Sequence, residues 1–154
     1  MTSEAIAATV HRSWAADLEP RTMYEILRLR VEVFVVEQAC PYAELDGRDL
    51  ESEARHYWLG GAGHPEPVLG CVRLLKEPDG DFRIGRLCTA RSARGRGLGK
   101  QLMEAALAEV GDDGCVLDSQ EHLADFYRAF GFRPTGPAYD WDGVPHVPMR
   151  RDGR

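Results

Sequence analysis

The feature that most constrains the fold of this chain is a glycine-rich segment, residues 94–100 (RGRGLGK), at the junction of a predicted strand and a predicted helix. Residues 82–89 (FRIGRLCT) predict the strand. The four-residue spacing of Leu98, Leu102 and Ala106 predicts the helix. A helix N-terminus presents unsatisfied N–H donors and roughly +0.5 charge, and glycines let the backbone come close to an anion. With its basic side chains, the segment therefore predicts a binding site for a group such as phosphate.

Two common nucleotide-binding motifs do not fit this segment. A Walker A loop requires a glycine five positions before its Gly-Lys pair and a Ser or Thr after it, where this chain has Arg94 and Gln101. The dinucleotide motif Gly-x-Gly-x-x-Gly requires a glycine where this chain has Lys100. The alternative interpretation is a tight turn whose glycines only permit a positive φ.

The composition predicts one globular domain spanning residues 1–154. Of the 154 residues, 44% are hydrophobic and 29% are charged, which is enough to build a core without metal or disulfide staples. No apolar run approaches the ~20 residues that span a bilayer, and residues 1–10 lack the basic start of a signal peptide. We therefore expect a soluble, cytoplasmic protein with no membrane partner.

The four cysteines indicate reduced thiols rather than a metal site or a disulfide framework. They form no Cys-x-x-Cys pair, which zinc sites usually need. Cys71, Cys88 and Cys115 lie in apolar runs, where a thiol behaves as a small hydrophobe. We expect buried thiols in a reducing compartment and no bound metal. Cys40 differs from the other three, because its surroundings are those of a loop.

The net charge of -6 argues against a general nucleic-acid binder, which would carry a basic face. An acidic balance is compatible with a cationic partner or substrate. The exception is a cluster of four cations within ten residues, formed by Arg91, Arg94, Arg96 and Lys100. The cluster has no interleaved aromatic residues, so it favours a small anion over a nucleic acid.

The remaining pattern predicts an α+β domain around a mixed sheet. One helix is followed by a meander of strands and then by a strand–helix–strand–helix–strand unit. The arginine-rich end, residues 150–154, is expected to be a solvated tail. The predicted elements in chain order are a strand at 11–17, a helix at 21–34, an irregular segment at 38–53, strands at 56–59, 67–76 and 82–89, a helix at 98–110, a strand at 115–117, a helix at 121–130 capped by Gly131, and strands from 132 onward and at 144–149.

Residues 94–99 fit the pattern Arg-x-x-Gly-x-Gly, and here the chain resembles the GCN5-related N-acetyltransferase (GNAT) superfamily, in which this loop holds the pyrophosphate of acetyl-CoA. Residues 87–89 stand where the family's fourth strand runs beside the pantetheine arm. Gln120 begins the next helix, where an Asn or Gln is usual, and residues 126–132 (FYRAFGF) look like the closing motif. Within this superfamily, the chain resembles the ElaA-like branch at residues 30–38 (RVEVFVVEQ), 40–42, 46–47, 55–56 and 142–146.

This resemblance implies a GNAT-type mixed, mostly antiparallel β-sheet that is splayed between strands 4 and 5 and flanked by helices. It implies acetyl-CoA as co-substrate and an amine acceptor as the second partner. A backbone N–H near Cys88 would polarise the thioester carbonyl if the strand bulges there as the family's does. The cofactor-binding residues that the resemblance implies are Leu87, Cys88, Thr89, Arg94, Gly95, Arg96, Gly97, Leu98, Gly99, Lys100 and Gln120.

The resemblance also makes Tyr127 the expected general acid for the departing thiolate. A phenol with a pKa of ~10 is still protonated when a thiolate with a pKa of ~8.5 leaves. The other interpretation is a core aromatic beside Phe126 and Phe130.

The general base is less well defined by the sequence. Glu37 closes an apolar run, Glu121 lies in a first helical turn, and His56 opens a strand; each is a candidate proton acceptor. Arg73, among apolar residues, must find a carboxylate or a substrate anion. His146, in the closing hairpin, can line the acceptor side.

The sequence is therefore compatible with two functions. The first is an acetyl-CoA-dependent N-acetyltransferase acting on a primary amine of an unidentified small molecule or peptide. The second is a non-catalytic acyl-CoA-binding sensor or partner protein, in which Tyr127 and a base would not matter. The sequence leaves the acceptor open, and it leaves open whether the protein is a monomer or a homodimer.

Overall fold

A computed structural model describes residues 8–39, 43–61 and 67–154. Its strands form one sheet. The elements are β1 (Ala8–Trp14), α1 (Pro20–Val31), β2 (Arg55–Gly61), β3 (Gly70–Lys76), β4 (Phe82–Thr89), α2 (Leu98–Val110), β5 (Cys115–Gln120), α3 (Ala124–Arg128), β6 (Arg133–Pro134), β7 (Tyr139–Trp141) and β8 (Val144–Arg151). The order in the sheet is β1-β2-β3-β4-β5-β8-β6, with β7 paired to β8. The predicted α+β class and mixed sheet are confirmed.

Helix α1 begins at Pro20, whose fixed φ suits a first helical position, and it continues beyond the predicted end. Residues Glu32–Glu37 form a π-helical turn, a wide turn that is often found at functional sites. The continuation carries Glu37 and Gln38 toward the second half of the chain, where they contact Arg94 and Gln120.

The core lies at the centre of the sheet, where β3 is buried over six consecutive residues. Because successive residues of a strand face opposite sides, this burial means that both faces of β3 are covered. Helix α2 packs on β2, β3 and β4 through Leu102 and its neighbours on one face of the helix. Full burial of a leucine such as Leu74 or Leu102 contributes about 1.5–3 kcal/mol.

Two local predictions of secondary structure need correction. The first strand ends at Trp14, and Ala15–Asp17 form a 3₁₀ turn. The predicted helix at 121–130 is a 3₁₀ turn, Glu121–Leu123, followed by the short α3; Gly131 does take the left-handed φ of +94° expected of a cap.

The prediction of a solvated tail at 150–154 is wrong for Arg150 and Arg151, whereas residues 152–154 follow the strand and are exposed. Arg150 and Arg151 belong to β8, and the Arg150 guanidinium bonds the carboxylates of Asp81 and Asp152. The Arg154 N–H donates to the Asp112 carbonyl. Two of these partners, Asp81 and Asp112, lie 40 or more positions away in the sequence and hold the basic end against the rest of the domain.

The thiols of Cys71, Cys88 and Cys115 are buried and unpaired, as predicted. Cys40 lies outside the described residues. Within the described ranges, no helix combines the length and the apolarity needed to cross a bilayer. No group of three or more His, Cys, Asp or Glu side chains in those ranges is arranged to hold a metal ion.

Strands β4 and β5 run parallel but pair only at their beginnings. The paired residues are Phe82 with Cys115 and Arg83 with Val116, and beyond them the strands separate. The splay predicted between the fourth and fifth strands is therefore present. It opens a cleft in the middle of the sheet.

Candidate active site

The cleft between β4 and β5 has a volume of about 360 Å³. Residues of the separated parts of β4 and β5 form its two long walls, including Gly85 and Leu87 on one side and Leu117 and Gln120 on the other. Tyr127 of α3 and the hairpin of β7 and β8 complete the walls. Since β4 ends at Thr89, a short step before the glycine-rich segment, the cleft and the predicted anion site belong to one continuous stretch of chain.

The wall formed by β4 contains a β-bulge. Cys71 pairs with Cys88 and Arg73 pairs with Gly85, so β4 has one extra residue between these pairs. At the bulge Arg86 has a φ of +58°, a conformation that costs a non-glycine residue roughly 1–2 kcal/mol. The bulge lies two residues before Cys88, so the strand does bulge near the position that the sequence predicted.

Hydrogen bonds from the Arg86 side chain hold this strained backbone. Its Nε lies 2.6 Å from Oε2 of the buried Glu44, and its Nη2 lies 3.1 Å from the Glu44 carbonyl oxygen. Arg30, which is 1% exposed, donates to the same Glu44 carboxylate and to Asp49. Because breaking a buried pair of this kind costs about 3–5 kcal/mol, the segment around Glu44 is firmly attached across the cleft from β5.

Arg73 meets the carboxylates that its buried position requires. Its Nη1 and Nη2 lie 2.9 and 3.0 Å from the two oxygens of Asp46, and Nη1 also bonds Asp49. Burial opposes ionisation of Asp46, but the hydrogen bonds from Arg73 and from the Arg48 N–H lower its pKa to about 2. The arginines and carboxylates at this wall are thus paired with one another.

Tyr127 lines the cleft and is only 9% exposed. Its ring is held edge-on by Phe126 and Phe132, at centroid distances of 5.1 and 6.4 Å. Burial, with a smaller contribution from the nearby Cys88 thiol, raises the pKa of the phenol well above its ordinary value. The hydroxyl is therefore protonated at neutral pH, the form that a proton donor requires.

The start of α2 has the backbone of an anion site. The first helical bond runs from the Gln101 N–H to the Gly97 carbonyl, so the N–H groups of residues 98–100 have no acceptor within the helix. Gly95 and Gly97 have φ values of +78° and +75°, which only glycine adopts at little cost. An added Cβ at either position meets no atom within 4 Å, so φ, and not space, requires glycine here.

The two predicted residues Glu37 and Arg94 are joined to each other. Arg94 Nη1 lies 2.6 Å from Glu37 Oε2, and Nη2 lies 2.8 Å from Oε1. Nη2 also donates to the Thr89 carbonyl at 3.1 Å. The hydrogen bond from Arg94 lowers the pKa of Glu37. Of the described residues, those that line the cleft include Gln38 but not Glu37, which argues against Glu37 as the proton acceptor.

His56 is not brought to the cleft either. It is 1% exposed, its Nε2 lies 3.0 Å from the Asp49 carbonyl oxygen, and burial lowers its pKa. A histidine enclosed in this way is a structural residue, so we withdraw it as a candidate base. The sequence could not separate this case from a catalytic one, because the burial of His56 depends on the distant segment that carries Asp49.

The other predicted cofactor residues lie in the cleft, at the end of β4 or at the start of α2. Leu87 lines the cleft, and Gln120 lines it opposite while its Nε2 donates to Gln38 Oε1 at 3.2 Å. Cys88 is buried with its Sγ 3.7 Å from that of Cys71, and this contact, together with burial, raises the pKa of the Cys88 thiol. Lys100 is exposed and forms a long, 3.9 Å pair with Glu104.

His146 is the residue whose position the sequence indicated least. It lines the cleft from β8, beside Trp141 of β7. The signal that locates it is the Asp142-Gly143 turn, since both residues have the positive φ, +51° and +85°, of a tight hairpin. Such a turn fixes the register and places His146 opposite Tyr139.

Comparison with known proteins agrees with this geometry. Residues 20–152 match the family model described as an acetyltransferase (GNAT) domain. The UPF0039 protein Rv2851c of Mycobacterium tuberculosis is 54% identical over 148 residues, which are 94% of this chain and 93% of that protein. Protein ElaA of Escherichia coli is 38% identical over 144 residues, 89% of this chain and 92% of its own length.

A solved structure extends the similarity to the fold. An acyl-CoA N-acyltransferase from Pseudomonas aeruginosa superposes with a TM-score of 0.87 at 38% identity, covering 94% of this chain and 99% of that one. The family model, the identity to ElaA and this superposition lead to one assignment. The chain belongs to the GNAT acetyltransferase family, in its ElaA-like branch.

Proposed function

We propose that the protein transfers the acetyl group of acetyl-CoA to a primary amine of a small molecule or peptide. The observation that carries the proposal is the cleft between β4 and β5, which has a protonated phenol in its wall and lies at the end of the strand that leads into the glycine-rich segment. A thioester lying along β4 would have its phosphates at the start of α2 and its sulfur near Tyr127.

The start of α2 supplies the phosphate contacts in this proposal. The N–H groups of residues 98–100 and the basic side chains of Arg96 and Lys100 favour a negative group there. Arg94 is already engaged by Glu37 and by the Thr89 carbonyl. We therefore assign Arg94 chiefly to holding the loop against the end of β4, a refinement of the direct phosphate contact expected from the sequence.

The chemical step uses the bulge and the phenol. The amine nitrogen forms a bond to the thioester carbon, and a backbone N–H near Cys88, released from the ladder by the bulge, donates to the carbonyl oxygen as negative charge develops there. Losing such a preorganised donor typically costs about 10²–10³ in rate. The C–S bond then breaks, and Tyr127 gives its proton to the departing thiolate.

The second candidate, a non-catalytic acyl-CoA sensor, would keep the loop but have no use for the phenol.

The buried, unpaired thiols support a reducing, cytoplasmic location. Whether the protein acts as a monomer or a homodimer does not alter the site proposed here, because the residues assigned to it come from one chain.

Calorimetric titration with acetyl-CoA tests the cofactor assignment. We expect micromolar binding that an Arg94→Ala, Arg96→Ala double variant weakens at least tenfold. Arg21→Ala is the matched control, because it removes one exposed arginine at the far end of α1, about 24 Å along the helix from Glu37. Equal binding by all three proteins would overturn the role of the loop.

A further inference from the structure

We propose that His146 is the proton acceptor that removes the proton from the attacking amine. This inference rests on the proposed function and names a catalytic residue within the same cleft. The position of the imidazole, its available nitrogen and the groups around it support this role.

The hairpin of β7 and β8 carries the ring into the cleft. His146 is half-buried, pairs with Tyr139 in β7 and with Gln120 in β5, and lines the same cavity as Tyr127. Its ring stacks on Tyr139 at a centroid distance of 6.0 Å and an interplanar angle of 30°. Trp141 holds it at 5.3 Å. Two aromatic neighbours on a tight hairpin fix the orientation of the imidazole.

The hydrogen bond at Nδ1 defines which nitrogen of His146 is available. Nδ1 lies 2.8 Å from the Val144 carbonyl oxygen, and a carbonyl can only accept. Nδ1 therefore carries the hydrogen, and in the neutral ring the lone pair is on Nε2. The bond from Nδ1 to the Val144 carbonyl is kept when Nε2 takes up a proton, because Nδ1 is a donor in both forms of the ring.

The charged groups around the ring are consistent with this role. Asp118 of β5 lines the cleft and is bound by Arg83 of β4, with Nη1 to Oδ2 at 2.8 Å. Burial, followed by the negative charge of Asp118 and a hydrogen bond to that carboxylate, raises the pKa of the Tyr139 phenol to about 12, so Tyr139 stays neutral. Asp142 in the hairpin turn and the neutral Gln120 also line the cleft. The other acidic groups in its lining are Asp46 and Glu77, and its cations are Arg48, Arg73, Arg83 and Arg86. Each of these arginines is paired with a carboxylate, and none of them lies on β5, β7 or β8, the strands that carry and flank His146.

The other candidate bases lack these properties. The Glu37 carboxylate is committed to Arg94, and His56 is enclosed. Glu121 is exposed on the turn before α3 and is not among the described residues that line the cleft. An amine with a pKa of ~10.4 is neutral in only about one molecule in a few thousand at pH 7. A base in the cleft can therefore raise the reaction rate greatly by increasing the neutral fraction of the bound amine.

The step is balanced by the two residues together. Nε2 of His146 takes a proton from the ammonium form of the acceptor, and the neutral amine then forms the N–C bond. Tyr127 gives its proton to the sulfur as the C–S bond breaks, and the phenolate regains a proton from the nitrogen of the new amide. The products are the acetamide and the free thiol of CoA, and the proton on His146 is released to solvent.

The test compares His146→Gln and His146→Ala with wild type, using spermidine, glucosamine and a lysine-containing peptide as acceptor probes. We expect kcat at pH 7 to fall about 10²-fold or more, with acetyl-CoA affinity unchanged within twofold. The deficit should shrink above pH 9, where the amines lose their protons unaided, and added imidazole should partly restore His146→Ala. His11→Gln is the matched control, because His11 also stacks on an aromatic ring, Trp58, but lies outside the cleft.

The outcomes separate the two claims. His146 variants that keep more than half of the wild-type kcat at pH 7, or lose the same factor at pH 7 and pH 9.5, would overturn the role of His146 and leave the proposed function intact. Wild-type protein that binds acetyl-CoA but acetylates no probe and releases no thiol would overturn the proposed function, and the role of His146 with it.

Discussion

The carboxylate of Glu37 and the guanidinium of Arg94 form a bidentate pair, 57 positions apart in the sequence, with contacts of 2.6 and 2.8 Å. The pair connects the π-helical end of α1 to the segment that precedes α2. A residue that the sequence suggested as a base and one that it suggested as a phosphate ligand are therefore partners, and both act on the position of the loop.

Replacement of Glu37 by Gln separates positioning from catalysis. Because the pair is partly exposed, we expect its loss to cost up to about 1 kcal/mol, which corresponds to a loss of acetyl-CoA affinity of up to about fivefold. The value of kcat at saturating acetyl-CoA should stay near that of wild type. A fall of kcat by two orders of magnitude with unchanged affinity would restore Glu37 as the base.

Replacement of Tyr127 by Phe removes the proposed acid while keeping the ring and its edge contacts. We expect kcat to fall about 10²–10³-fold and acetyl-CoA affinity to stay the same, since the hydroxyl acts on the departing sulfur. Steady-state kinetics and calorimetry measure the two quantities. Tyr24→Phe, on the exposed side of α1, is the control and should match wild type. Full activity in Tyr127→Phe would favour a different proton donor.

The two ends of α2 offer a matched pair of glycine substitutions. Gly97 and Gly111 both have positive φ, +75° and +60°, and an added Cβ meets nothing within 4 Å at either. Each change to Ala should lower the free energy of unfolding by about 1–3 kcal/mol through backbone strain. Only Gly97→Ala should weaken acetyl-CoA binding. Equal affinity in both variants would argue that the phosphates bind elsewhere.

The acid stability of the protein should depend on Asp46. Its pKa of about 2 lies below the ordinary value near 3.9, so the folded state binds fewer protons than the unfolded state in this range. The resulting stabilisation, up to about 2 kcal/mol, is fully present above pH 4 and is lost as the pH falls toward 2. Urea unfolding at pH 7, 4, 3 and 2 measures it.

Two variants check the assignment to Asp46. Asp46→Asn should flatten the dependence on pH between 4 and 2, because the group that titrates is gone. Asp125→Asn should leave it unchanged, since that carboxylate is almost fully exposed in its pair with Arg128. An acid limb that is identical in Asp46→Asn and wild type would show that other carboxylates, such as Asp49, account for it.

Local pattern and family resemblance together predicted much of this architecture. The spacing of Leu98, Leu102 and Ala106 defined α2 to its observed ends, and the motif after Arg94 identified the glycine-rich junction. The resemblance supplied the splay between β4 and β5, which no local pattern contains. These features depend on residues close together in the sequence or on a motif of fixed spacing.

What the sequence did not reveal depends on contacts between distant segments. His56 is enclosed by the segment that carries Asp49, Glu37 is held by Arg94, and the final arginines meet Asp81 and Asp112. Each pairing requires the folded chain, because no spacing rule relates its members. The chemical character of His146 likewise becomes clear only when its bond to the Val144 carbonyl is seen.

The most direct test of the account follows the acetyl group itself. Acetyl-CoA labelled with ¹³C in the acetyl group is incubated with the amine probes and either wild type or Tyr127→Phe, and the acetamide and the free thiol are quantified together. We expect equal amounts of labelled acetamide and thiol with wild type, and a rate at least 10²-fold lower with Tyr127→Phe. Binding of acetyl-CoA without labelled acetamide on any probe would rule out the proposed transfer to these amines and favour an acyl-CoA sensor.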